Sequence, residues 1–115
     1  MVLWNCIESS LKININTLAR MVKKMSELIT YESNERIALI TINRPEKMNA
    51  LSNDLVAALR DAFIKYRDSD DQCAVLTSGG DKAFSVGADI KDPPTDPDLW
   101  ECMPGVGVII DKPVI

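Results

Sequence analysis

Apolar positions change period along this chain, and each change marks an element. Leu28–Glu32 and Ile37–Ile42 are rich in β-formers: Ile29, Thr30 and Tyr31, then Ile37, Ile40, Thr41 and Ile42. Both read as strands. Ser33-Asn34-Glu35-Arg36 between them has turn composition, so a hairpin is expected. Asn43-Arg44-Pro45 stops the second strand, because proline cannot donate to a ladder. From Leu51 the spacing becomes three and four residues, through Leu55, Leu59, Ala62, Phe63 and Tyr66. That stripe predicts a helix with a buried face. Ser52 suits its N-cap and Asp54 the positive end of its dipole. Arg60, Asp61, Lys65, Arg67 and Asp68 are expected to face water, and the helix fades over Asp68–Asp71.

Cys73-Ala74-Val75-Leu76-Thr77 is a short apolar run after a helix, as in a buried strand of a parallel sheet. Ser78-Gly79-Gly80-Asp81-Lys82 is then a loop. The order ββαβ predicts an α/β fold. Asp92-Pro93-Pro94-Thr95-Asp96-Pro97 cannot continue a helix. Pro104-Gly105-Val106-Gly107 is irregular, and Lys112-Pro113-Val114-Ile115 reads as the opening of a further strand.

The chain has 115 residues, 46% of them hydrophobic, a net charge of −4 and no histidine. Its length suits one domain or part of one. The acidic balance argues against nucleic-acid binding, which rests on basic surface. No apolar run approaches the roughly 20 residues of a membrane span. Without histidine, this chain alone builds no Ser-His-Asp site, and the commonest zinc ligand is missing. Cys6, Cys73 and Cys102 include no C-x-x-C pair, so reduced intracellular thiols are expected. Near the start, Lys12, Arg20, Lys23 and Lys24 stand against Glu8 alone. Residues 1–25 are therefore read as an extension outside the core. It is a start placed too early, with Met25-Ser26-Glu27-Leu28 as the conventional beginning, or a transit peptide, or a helical addition. Residues 26–115 form the folded part. The expected location is intracellular: cytoplasmic, or mitochondrial if residues 1–24 are a transit peptide.

Candidate chemistry concentrates in Ala83-Phe84-Ser85-Val86-Gly87-Ala88-Asp89-Ile90-Lys91. Small residues cluster there, where backbone can approach a ligand. Gly87 can take unusual φ, and Ala88-Asp89-Ile90 could open a helix whose free N–H groups bind an anion or a polarised carbonyl oxygen. An ordinary strand-to-helix turn has the same composition. Ser85 lacks a G-x-S-x-G setting, and Asp89, Asp92, Asp96 and Asp98 lack EF-hand spacing and read as solvated charge. Trp100 and Met103 fit either an acyl pocket or a core. Glu101 is the only glutamate after Glu46, so no glutamate acid/base pair can be assembled here.

The pieces Ile40–Leu51, Ala74–Thr77, Ala83–Lys91 and Asp111–Ile115 together resemble the crotonase (enoyl-CoA hydratase/isomerase) superfamily, in order and spacing. The resemblance covers about residues 27–115. It implies the N-terminal half of a crotonase-like ββα spiral, assembled in the full-length form as a homotrimer or a dimer of trimers. It also implies an acyl-CoA substrate, most simply a 2-enoyl-CoA undergoing hydration. Isomerase, dehydratase and hydrolase reactions, or acyl-CoA binding without catalysis, are the alternatives. No metal or redox cofactor is implied, since CoA belongs to the substrate. Ala88 is implied as an oxyanion donor through its backbone N–H. CoA contacts are implied at Lys47, Met48, Val86, Ala88, Asp89, Ile90 and Lys91. The second oxyanion donor and the water-activating glutamates are expected beyond Ile115.

Overall fold

A computed structural model describes residues 15–95 and 98–115. Helix α1 (Ile15–Leu28) runs directly into β1 (Ile29–Asn34), which a tight turn joins to β2 (Ile37–Ile42). Helix α2 (Asn53–Arg67) and strand β3 (Cys73–Ser78) follow. The sheet order is β1-β2-β3, with β1 and β2 antiparallel and β2 and β3 parallel. The expected ββαβ order and parallel β3 are therefore present, but β3 ends the sheet order with only Ala74 buried, so it is not the buried strand expected. The part of the expected extension formed by residues 1–14 lies outside the described residues, and the expected boundary after residue 25 falls within α1.

Two strand ends differ from the sequence reading. Leu28 closes α1 instead of opening β1, and it packs against the core. The hairpin turn shrinks to Glu35 and Arg36, both at positive φ, because β1 pairs as far as Asn34↔Ile37. Two consecutive residues of positive φ match the right-handed twist of a two-residue hairpin.

The core lies between one sheet face and α2. Ala38, Ile40 and Ile42 alternate inward along β2. They meet Leu55, Val56, Leu59, Phe63 and Tyr66, which the helical period collects on one side of α2. The hydroxyl of Ser52 accepts from Leu55 N–H and caps α2 as expected. Arg60 departs from expectation. It is half-buried, and its Nε is covered without a hydrogen-bond partner among the described residues.

Lys112 closes the far end of the helix. Its Nζ donates to the carbonyl oxygens of Tyr66, Ser69 and Asp71 at 2.6, 2.9 and 2.8 Å. A cation there meets the negative end of the helix dipole and carbonyls that lack helical partners. The residues after it behave as the expected strand opening. Ala74 N–H donates to Pro113 O, Ile115 N–H to Ala74 O and Leu76 N–H to Ile115 O, beside β3.

Asp71 ties the hairpin to the end of α2. Its buried carboxylate accepts from the hydroxyls of Tyr31, Ser33 and Ser69. The Ser33 and Tyr31 hydroxyls hold its carboxyl below the usual range. A carboxyl with a depressed folded value binds its proton more weakly folded than unfolded. Its stabilising contribution is complete above the unfolded value, near 3.9, and is lost as pH falls through the folded value. Between pH 7 and pH 3, the urea midpoint of wild type should therefore fall more than that of Asp71→Asn. Equal falls would remove Asp71 from the acid response.

Candidate active site

The chain reverses sharply after β2. Pro45–Lys47 forms one 3₁₀ turn, with proline at the start where no N–H is required. Met48 and Asn49 then both take left-handed conformations, at φ 50° and 56°. Asn49 makes this turn a platform. It is 1% exposed, its Oδ1 accepts from Arg44 N–H, and its Nδ2 donates to Gly79 O and Ala83 O. One buried amide thus joins the turn after β2 to the loop after β3.

Segment 85–89 lies along this platform, bending at Gly87 and bridging to Leu51 at Ala88. Ser85 Oγ donates to Asn49 O at 2.7 Å, and Val86 N–H to Met48 O at 3.2 Å. Leu51 N–H donates to Gly87 O, and Asp89 N–H to Leu51 O, as in a parallel bridge. Gly87 has φ +91°, while a Cβ on it would meet no atom within 4 Å. Glycine is needed there for its backbone angle and not for space.

This geometry corrects the expected helix start at Ala88. No helix forms between Ala88 and Lys91. Leu51 O takes the Asp89 N–H, and Pro93 and Pro94 lack the N–H groups that a helix from Ala88 or Asp89 would next require. The donor geometry survives by another route. In a trans peptide unit the C=O and the following N–H point in opposite directions. Gly87 O and Asp89 N–H point at Leu51, so the Ala88 N–H points away. No acceptor for it occurs among the described residues, and Ala88 is exposed.

A cavity of about 580 Å3 lies beside it, and Lys47, Met48, Val86, Ala88, Asp89, Ile90 and Lys91 all line it. The seven residues named from sequence come from two segments about forty positions apart and share one hollow. Its apolar wall is open: Met48 and Val86 are about half exposed, and Ile90 is 95% exposed. Its charged lining is mixed: Lys47 and Lys91 stand with Glu46 and Asp92.

Asp89 is not solvated charge. Arg44 Nη1 donates to Asp89 Oδ2 at 2.7 Å and to Ala50 O at 3.0 Å. The Arg44 guanidinium, and then the Lys91 N–H on Oδ1, hold the Asp89 carboxyl below the usual range. Asp92 accepts from Asn53 Nδ2, and Asp96 lies outside the described residues. Trp100 is exposed, and Met103 packs against the core, so neither lines the cavity. Sequence reasoning missed Asn49. The one available signal was an asparagine, a residue that tolerates left-handed backbone, directly after the Arg-Pro turn. Among the described residues, no group of three or more Cys, Asp and Glu side chains is placed to hold a metal ion.

A ββα turn with a parallel return strand, and a backbone donor left unpaired over an open cavity, are the features that the resemblance to the crotonase superfamily implies. A family model for enoyl-CoA hydratase/isomerase matches residues 32–96. The chain belongs to that family. It is 37% identical over 90 residues to the (E)-benzylidenesuccinyl-CoA hydratase of Thauera aromatica, covering 76% of this chain and 33% of that one. It is 38% identical over 63 residues to a probable mitochondrial enoyl-CoA hydratase of Dictyostelium discoideum, covering 55% and 23%. A solved probable enoyl-CoA hydratase/isomerase from Mycobacterium abscessus superposes with a TM-score of 0.63 at 27% identity, over 76% of this chain and 36% of that one. The chain thus spans about a quarter to a third of the curated relatives it matches. No helix among the described residues is long and apolar enough to cross a membrane.

Proposed function

We propose that this chain forms part of an acyl-CoA enzyme that hydrates 2-enoyl-CoA thioesters. The observation that carries the reading is the unpaired Ala88 N–H beside a cavity lined by Lys47, Met48, Val86, Ile90 and Lys91. A thioester carbonyl oxygen placed on that N–H would be stabilised as it gains enolate charge. Water then adds through oxygen to the β-carbon, a proton adds to the α-carbon, and the double bond is consumed. A donor aimed at developing charge is worth about 3–4 kcal/mol in such a step. The apolar wall suits the pantetheine and acyl chain, and Lys47 and Lys91 suit the CoA phosphates. Asp89 is committed to the Arg44 ion pair, and the proton-transferring carboxylates are expected beyond Ile115. The CoA moiety arrives with the substrate, and no further cofactor enters. Matched relatives named as hydratases support the reading. The working form is a homotrimer or dimer of trimers inside the cell, in the cytoplasm or, with residues 1–24 acting as a transit peptide, in the mitochondrion.

The test is loss of the conjugated-thioester absorbance of crotonyl-CoA, run beside CoA binding on the same full-length sample. Turnover is expected. Binding without turnover would replace this reading with a non-catalytic acyl-CoA-binding role, and neither would overturn both.

A further inference from the structure

The Ala88 N–H is held by neighbours on both sides in the chain, and the two holds differ in kind. On the N-terminal side, Gly87 N–H donates to Ser85 Oγ, which itself donates to Asn49 O. On the C-terminal side the hold is ionic. Arg44 Nη1 reaches both Asp89 Oδ2 and Ala50 O, and both side chains are mostly covered, at 17% and 12% exposure. Asp89 is next in chain to Ala88, and Ala50 is next to Leu51, its bridge partner. One guanidinium atom therefore spans the two segments whose separation sets the direction of the Ala88 N–H. Arg44 also lines the cavity, and its Nη1 is shared between Asp89 and Ala50.

We infer that Arg44 and Asp89 act together as positioning residues for the Ala88 backbone donor. They fix its direction, and that role needs no contact with substrate. The inference rests on the acyl-CoA reading for its kinetic consequence, but not for its geometry. A small misplacement of a catalytic donor costs rate far more than it costs binding of remote parts of the substrate. The pair should therefore matter for kcat and little for CoA affinity.

Two measurements on the full-length protein test this. The first is amide hydrogen exchange of the peptide covering residues 86–91, compared with β2 as an internal control. In Arg44→Gln and in Asp89→Asn, exchange of that peptide should speed up while β2 stays protected. The second is turnover of crotonyl-CoA, with CoA binding measured alongside. Each single variant should lower kcat roughly 10- to 100-fold, leaving CoA affinity nearly unchanged. The double variant should be no worse than the singles, because residues acting as one unit are not additive. Arg44→Lys should recover part of the rate. Unchanged exchange at 86–91 would overturn the inference whatever the kinetics. So would additive losses, or a loss carried by CoA affinity alone. If wild type turns over no enoyl-CoA, the functional reading fails, and the exchange result still decides the positioning role.

Discussion

Replacing Ala88 by proline is expected to lower kcat on enoyl-CoA by about 100- to 1,000-fold, the usual consequence of losing one oxyanion donor. The fold should survive the change. The bridge between the two site segments uses Gly87 O and Asp89 N–H, and the N–H that proline removes takes no part in it. The preceding residue is Gly87, which has no Cβ to meet the proline ring. Ala88→Ser keeps the N–H and should stay close to wild type. The check is kcat for both variants, with circular dichroism to confirm folding. A folded Ala88→Pro protein with full activity would remove Ala88 from the oxyanion role.

The largest effect on stability is expected at Asn49. Its side chain is buried, accepts one N–H and donates to two carbonyls, and its backbone sits at φ 56°. Asn49→Leu removes all three bonds and leaves Arg44 N–H, Gly79 O and Ala83 O without this partner. It also places a branched side chain in left-handed backbone. A loss of about 3–4 kcal/mol in the free energy of unfolding follows from unsatisfied buried groups plus the backbone cost. Asn49→Asp should be at least as damaging at neutral pH, because a carboxylate oxygen would then face those carbonyls. Denaturant unfolding of both variants reads this directly. A loss below about 0.5 kcal/mol, the range of ordinary surface substitutions, would show that the platform does not depend on the amide.

The two predictions depend on sequence in different ways. Ala88 was accessible in advance because its surroundings, Phe-Ser-Val-Gly-Ala-Asp after a buried strand, are local and carry a family resemblance. Asn49 was not. Nothing about a single asparagine in a turn shows that loops thirty residues later will bring two carbonyls to its amide. Arg44 was legible only as a turn residue, since its partner Asp89 stands 45 positions away. Asp89 read as a loop acid or a local cap, without its ion-pair partner, for the same reason. Lys112 looked like the edge of a strand, and its contact with three carbonyls at the end of α2 depends on where β3 returns the chain.

Local composition and spacing settled the hairpin, the helix with its Ser52 cap, and the strand after it, because each follows from residues within a few positions of its own. The residues that meet in the cavity were named from the resemblance, segment by segment. Folding decided how those segments lie together. It laid residues 85–89 along Met48–Leu51 through one bridge and turned the Ala88 N–H away from its bridge partner. It also replaced the expected helix start with an ion pair. Those features are pairings between distant segments, and hydrogen bonds of that kind have no period or local composition from which they could be read.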